Sequence, residues 1–233
     1  MGTEDLVLRG THIRLEPLEY RHVEGLVAAS ATDPSLYQWS PVPRGKIEAT
    51  SYVDTALASR DAGSAVPFAI IKLNDKLNDK LNDRVGDSVN DGVVIGSTRF
   101  FNLERWSWPK GHPRHGRHHP DVCEIGYTWL ARSAIRTAAN TEAKLLMLTH
   151  AFETWQVLGV CFYTDSRNQR SRTALERIGG KFDGILRAHR MAADYIARDS
   201  VRYSIVAAEW PAVKQQLNQF LSQSPVAAKH DKR

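Results

Sequence analysis

A mixed α/β domain is predicted for this 233-residue chain by three observations. Cys123 to Leu130 alternates with the period of a strand, placing Ile125, Tyr127 and Trp129 on one face and Glu124, Gly126, Thr128 and Leu130 on the other. Leu145, Leu148, Phe152 and Trp155 then recur at helical spacing, with Asn140 or Thr141 available as a cap and Glu142 as a first-turn carboxylate. A second strand, Gly159 to Asp165, leads into a helix bearing Ala174, Leu175 and Ile178 that Gly179-Gly180 stops.

The remaining elements follow in order. Ile13, Leu15 and Pro17 mark a short strand, and Tyr20 to Ser30 a helix with Val23, Leu26 and Val27 on one face. Asp33-Pro34 and Ser40-Pro41-Val42-Pro43 read as loops around Leu36, Tyr37 and Trp39. Lys46 to Ser59 is a second helix; Val66 to Leu73 and Val93 to Leu103 are strands. Two further strands, Lys181 to Arg190 and Ser200 to Ala207, precede a helix from Trp210-Pro211 to Leu221. Residues 1–221 thus read as one domain, and the polar tail 222–233 as disordered.

The apolar fraction of 42% supplies a core, and no run of 18 apolar residues exists to span a membrane. Met-Gly-Thr-Glu-Asp lacks a signal-peptide pattern, so a cytoplasmic location is expected. Cys123 and Cys161 lie in strand-like segments and read as buried thiols. A net charge of +5 suits an anionic ligand without identifying one.

Two stretches stand apart. Lys72-Leu-Asn-Asp is repeated at Lys76 and Lys80, and reads as a hairpin insertion over about 73–91; its acidic spacing does not match a calcium loop. The segment of about 105–121 carries His112, His115, His118 and His119 without a Cys or acidic partner inside the cluster, and its Pro, Gly and Arg content describes a mobile basic loop rather than a metal site. No metal is expected.

Between the Cys123 strand and its helix lie small or cationic residues, among them Arg132, Ser133, Arg136, Thr137, Ala138 and Ala139. Such a junction points unpaired N–H groups outward, where a phosphate fits; an ordinary strand-to-helix turn would carry the same pattern.

Three pieces of the chain resemble the GCN5-related N-acetyltransferase (GNAT) superfamily, and within it the ribosomal-protein alanine acetyltransferase (RimJ/RimL-like) branch. They are Glu124-Ile-Gly-Tyr-Thr-Trp-Leu, Arg136-Thr-Ala-Ala-Asn-Thr-Glu-Ala and Asn168-Gln-Arg-Ser171. The second departs from the family pattern, with Ile135, Ala138 and Asn140 where Gln or Arg and two small residues, usually glycine, are common. The resemblance implies a mostly antiparallel, mixed seven-stranded sheet splayed between strands 4 and 5, flanked by four helices and a C-terminal one. It also implies an acetyl-CoA-dependent N-acetyltransferase that moves an acetyl group to a primary amine, on a protein N-terminus or a small molecule, by direct attack in a ternary complex. Acetyl-CoA is the cosubstrate expected to lie against Trp129, Leu130, Arg136 to Thr141 (including Thr137, Ala138, Ala139 and Asn140), Asn168 and Arg172.

An amine attacks a thioester only as the free base, so a base must take its proton. Glu124, a carboxylate in a strand of apolar, aromatic and small residues, is the candidate, and the resemblance puts the family's base there. N–H groups near Thr128 to Leu130 could steady the oxyanion. The resemblance makes Ser171 the acid for the departing thiolate; a helix-start role would explain it equally. Trp39, Trp106 and Tyr127 are the aromatic candidates for the acceptor side, with Tyr37 and Trp108 nearby in sequence. No nucleic-acid or membrane partner is expected, and a homodimer stays open. The competing class is an acetyl-CoA-binding sensor that has lost catalysis.

Overall fold

The computed structural model describes residues 6–31, 34–74, 92–192 and 194–223. In chain order the elements are β1 (Leu8–Arg9), β2 (Ile13–Pro17), α1 (Val23–Ser30), α2 (Gly45–Asp61), β3 (Ala65–Leu73), β4 (Gly92–Glu104), β5 (Val122–Leu130), α3 (Ala138–Thr149), β6 (Gly159–Asp165), α4 (Gln169–Arg177), β7 (Lys181–Met191), β8 (Ala197–Val206) and α5 (Trp210–Ser222). The strands form one sheet in the order β1-β2-β3-β4-β5-β6-β8-β7. Eight strands stand where seven were expected. The extra one is β1, a two-residue pairing of Leu8 and Arg9 with Leu15 and Arg14 that is too short to show a period in sequence.

Every pair is antiparallel except β5 with β6. Those two meet only at Val122, Cys123 and Glu124, opposite Gly159, Val160 and Cys161. Both strands run on, to Leu130 and Asp165, without pairing again. The sheet is therefore split beyond Glu124, as the splayed sheet requires.

Strict alternation along β5 does not hold. Phe101, Arg99 and Ser97, on one face of β4, oppose Glu124, Gly126 and Trp129, so β5 carries one extra residue between Gly126 and Trp129. Tyr127, at φ +50°, absorbs it. Trp129 consequently shares the face of Glu124, and Thr128 is turned to the other, the reverse of the expected grouping.

Hydrogen bonds identify the two faces. Tyr52 of α2 donates to Ser97 Oγ at 3.1 Å, whereas Thr98, the next residue of β4, lies 3.6 Å from Met147 of α3. α2 thus covers the Glu124 face and α3 the opposite one. α3 buries Ala139, Ala143, Met147 and Leu148 against the sheet.

α3 starts earlier than expected: Thr137, not Asn140 or Thr141, is its cap, with Oγ1 accepting from Ala139 N at 3.2 Å. It also ends earlier, at Thr149, and a single π turn over His150–Thr154 delivers Trp155 to the core. Glu142 is buried and accepts from the backbone N–H groups of Thr11, His12 and Ile13 at 2.7, 2.8 and 2.8 Å, tying the β1-β2 turn to α3. Gly10 is required there, since a Cβ would lie 2.4 Å from Glu142 Cδ.

Leu73 pairs with Gly92, so β3 and β4 form the two arms of a hairpin; the repeats at 75–91 lie outside the described residues, as do 224–233 of the tail. The histidine-bearing loop read as mobile is instead cross-linked. Asp121 accepts from Trp106 N–H at 2.8 Å, Trp108 Nε1 at 2.9 Å and Arg114 Nη1 at 3.2 Å. Burial opposes ionisation of Asp121, but these bonds outweigh it and hold the carboxyl below its usual range. His112 stacks on Trp108 at 4.1 Å, and Arg117 donates to Trp155 O at 2.9 Å. Among the described residues no group of His, Cys, Asp and Glu side chains is placed to hold a metal, and no helix is long and apolar enough to cross a membrane.

Candidate active site

Glu124 sits at the last paired position before β5 and β6 part. Its carboxylate is buried, with Oε2 accepting from Asn102 Nδ2 at 2.8 Å and Arg190 Nη2 at 3.0 Å. Oε1 has a looser contact, 3.4 Å from Arg190 Nη1, and lies toward Gly126, whose absent Cβ would be 3.8 Å from it. Burial pushes the Glu124 pKa above the ordinary carboxylate value, although Arg190 and Asn102 pull against it. A carboxylate with one committed oxygen and one freer one, at the apex of the gap, can accept a proton there.

The walls of the gap follow from strand geometry. Ala131 N–H bonds to Ile95 O on β4 at 2.7 Å, and successive residues turn their backbone groups to opposite sides. Leu130 N–H and C=O therefore point away from β4, and Tyr37 donates to that carbonyl at 3.0 Å. Trp129 packs edge-on to Tyr37, with ring centroids 6.0 Å apart, and its buried indole N–H has no hydrogen-bond partner among the described residues. The segment around Tyr37 also reaches the far side: Arg170 Nη2 donates to Leu36 O at 2.6 Å, and the Arg167 guanidinium lies 4.3 Å from the Trp39 ring centroid. Trp39 thus covers the start of α4.

The open ends of both strands lead into helix N-termini. Before α3, Arg136 adopts φ +61°, the left-handed residue of the junction, while Ala138 and Asn140 are helical and need no glycine for their backbone angles. Arg136 and Thr137 are exposed, Ala138 and Asn140 half-buried, and Ala139 and Thr141 buried. Thr141 Oγ1 accepts from Arg177 Nη2 at 3.1 Å. At α4 the Asn168 side chain is the cap, accepting from Ser171 N–H at 3.0 Å. Arg172 is directed at Tyr203 OH, 3.4 Å, and Ser166 O, 3.5 Å. Trp106 lies apart from these groups, in the loop that enters the paired end of β5, against Trp108 at 5.7 Å.

Four contributors were not singled out from sequence. Arg190 and Asn102 lie 66 and 22 residues from Glu124, and no local pattern links them. Arg99 is buried and stacks on Tyr127 at 4.1 Å. Lys144 had a legible signal, since it lies four residues before Leu148 on the buried face of α3. Its Nζ donates to Thr128 Oγ1 at 2.7 Å, and burial lowers its pKa to about 7.

Residues 12–181 match the family model described as an acetyltransferase (GNAT) domain. Among solved structures, a GCN5-related N-acetyltransferase from Brucella melitensis is 26% identical, with a TM-score of 0.74 over 94% of this chain and 87% of that one. Mycobacterium smegmatis RimJ in complex with CoA-disulfide is similar in fold, with a TM-score of 0.68 at 21% identity over 92% of this chain and 93% of that one. RimL, a ribosomal L7/L12 α-N-protein acetyltransferase in complex with coenzyme A, shares the fold at 14% identity, a TM-score of 0.63 and coverage of 86% and 98%. No curated protein matches the chain.

Proposed function

Since this chain belongs to the acetyltransferase (GNAT) family and is an acetyl-CoA-dependent N-acetyltransferase, we propose that acetyl transfer takes place at the apex of the β5-β6 gap, with Glu124 as the base. The observation that carries this reading is a buried carboxylate with a raised pKa at the point where the sheet opens.

Bound acetyl-CoA supplies an activated acyl group. The residues present suit it: Leu130 turns an N–H and a carbonyl into the gap, and the first N–H groups of α3, at Ala138 and Asn140, have no intrahelical acceptor to occupy them. Arg136 is exposed beside that turn and provides a cation for a phosphate.

Glu124 Oε1 takes the proton from the acceptor amine, directly or through one water, as the new N–C bond forms and the C–S bond breaks. Leu130 N–H supports charge on the carbonyl oxygen. Ser171, at the first turn of α4, donates to the thiolate, a small contribution because a thiol near pKa 8.5 is already a fair leaving group. Residues 1–221 act as one domain in the cytoplasm on this reading, and Trp39 and Tyr127 flank the acceptor side. The acceptor is a primary amine on a peptide terminus or a small molecule.

The test is release of CoA thiol with an amine library, comparing wild type with Glu124→Gln. A fall of roughly 10²- to 10⁴-fold at neutral pH with CoA affinity retained is expected, with partial recovery at high pH. Wild-type turnover by the variant across that range would reject Glu124 as the base.

A further inference from the structure

On the face of the sheet that carries Glu124, guanidinium groups and aromatic rings alternate. The Arg99 guanidinium lies 5.2 Å from the Tyr52 ring centroid and 4.1 Å from that of Tyr127. Tyr127 meets Phe101 edge-on at 5.1 Å, and Arg190 lies 5.8 Å from Phe101 and 5.2 Å from Tyr163. Arg198, opposite Arg190 in the β7-β8 pair, donates to Ser200 Oγ at 3.1 Å.

The charges on this face do not balance. Arg190 is offset by Glu124, Arg167 by Asp165 and Arg202 by Asp183. Among the described residues, Arg99 and Arg198 have no carboxylate within 4.0 Å. Arg99 is the sharper case, because it is only 4% exposed and its Nε is buried without a hydrogen-bond partner among the described residues. A guanidinium carries five donors and stays charged, and a buried donor left without an acceptor opposes folding. Two flanking rings offset part of that cost, but they do not accept a fork of hydrogen bonds. A carboxylate does so with matching geometry.

We propose that the acceptor is an amine that also bears a carboxylate, and that Arg99 receives this carboxylate while the amine faces Glu124. The inference rests on the assignment of Glu124 as the base and extends it to substrate class. Arg99 opposes Gly126, and Glu124 opposes Phe101, two positions away on the same face, a diagonal of about 7 Å in backbone terms. An amine and a carboxylate separated by a few bonds span this distance with the reach of the two side chains. The uncompensated Arg99 and Arg198 charges also repel polycationic acceptors such as polyamines, so the cleft selects against them as well as for an anion.

Matched acceptors decide the matter. With acetyl-CoA saturating, kcat/KM is measured for free amino acids against their carboxamides, and for tripeptide amides beginning with Asp or Glu against those beginning with Asn or Gln. The carboxylate member of one set is expected to be preferred by about 10- to 100-fold, the effect of one charge-assisted pair, and the set that shows it separates a free amino acid from an acidic peptide terminus. Arg99→Met should collapse the ratio, chiefly through KM, and Arg99→Lys should shrink it less. Equal turnover of acid and amide by the wild type, which needs no variant to fold, would overturn the inference while leaving acetyl transfer intact. So would a ratio unchanged in folded Arg99 variants. Failure to turn over any amine would count against the Glu124 assignment instead. Calorimetric titration of the CoA-saturated protein with N-acetylglutamate and its diamide would then decide Arg99 alone: tighter binding of the acid sustains the proposal, and equal binding ends it.

Discussion

Arg190 and Glu124 form an ion pair at 3.0 Å across 66 residues of sequence, and it is the Glu124 oxygen shared with Asn102 that makes the shorter contact. The guanidinium lowers a pKa that burial raises. Replacing it with an apolar side chain leaves burial less opposed, so the carboxyl should hold its proton to higher pH. Because the base must be deprotonated to act, Arg190→Met is expected to move the acidic limb of the kcat/KM profile to higher pH, with activity lost below the limb and recovered above it. A limb that stays in place would mean that Arg190 does not govern the ionisation of Glu124.

Lys144 makes the opposite kind of statement. Burial depresses its pKa to about 7, while in the unfolded chain a lysine titrates near 10.4. Between those values the unfolded state binds more protons, so stability should rise with pH from about 7 toward 10, by up to about 1.4 kcal/mol per unit, and be flat on this account below 7. Lys144→Met removes the desolvated ammonium and should abolish that slope while raising stability at neutral pH. Urea titrations at pH 7 and 9 check this, and parallel slopes in wild type and variant would count against it.

Glu142 is expected to be a structural carboxylate. Its loss strands three backbone N–H groups of the β1-β2 turn, so Glu142→Ala should cost about 3–5 kcal/mol, and Gly10→Ala should weaken the same joint by forcing the carboxylate away. Chemical denaturation measures both. A loss under 1 kcal/mol for each would show that the turn satisfies its donors elsewhere.

Ala138 is the first residue of α3 and half-buried beside the exposed Arg136. Ala138→Phe should obstruct the helix N-terminus and weaken CoA binding by roughly 10-fold or more, a steric cost of about 1–3 kcal/mol. Calorimetry with CoA reads it directly; unchanged affinity would move the phosphate position elsewhere.

Much of the fold was legible because its signals are local. The strands at Cys123 and Gly159, the helix after the second of them and the Gly179 stop appear where periodicity and glycine place them, Gly179 at φ +92°. β1 was missed because two residues have no period. The cap of α3 was misplaced because Asn140 and Thr141 have the right chemistry, and only backbone angles show that Thr137 is the extended residue. For the candidate site, Glu124 could be named from its apolar surroundings, but its partners on β4 and β7 could not, since contacts across a sheet leave no trace in spacing. Trp106 belongs to a loop pinned by Asp121, a bond network invisible until the loop is closed.

The extra residue at Tyr127 makes β5 a matter of parity. Glu124 and Trp129 stand an odd number of positions apart and still share a face because one left-handed residue intervenes. Substitutions along this stretch alter one contact at a time. Removing Tyr127 itself would restore plain alternation and leave Trp129 beside Glu124, whereas a one-residue deletion that kept the left-handed turn would exchange the two sides of everything after it. Length in this strand is thus tied to the turn at Tyr127, and an alignment that opens a one-residue gap here keeps each following side chain in its chamber only where the gap falls on that turn.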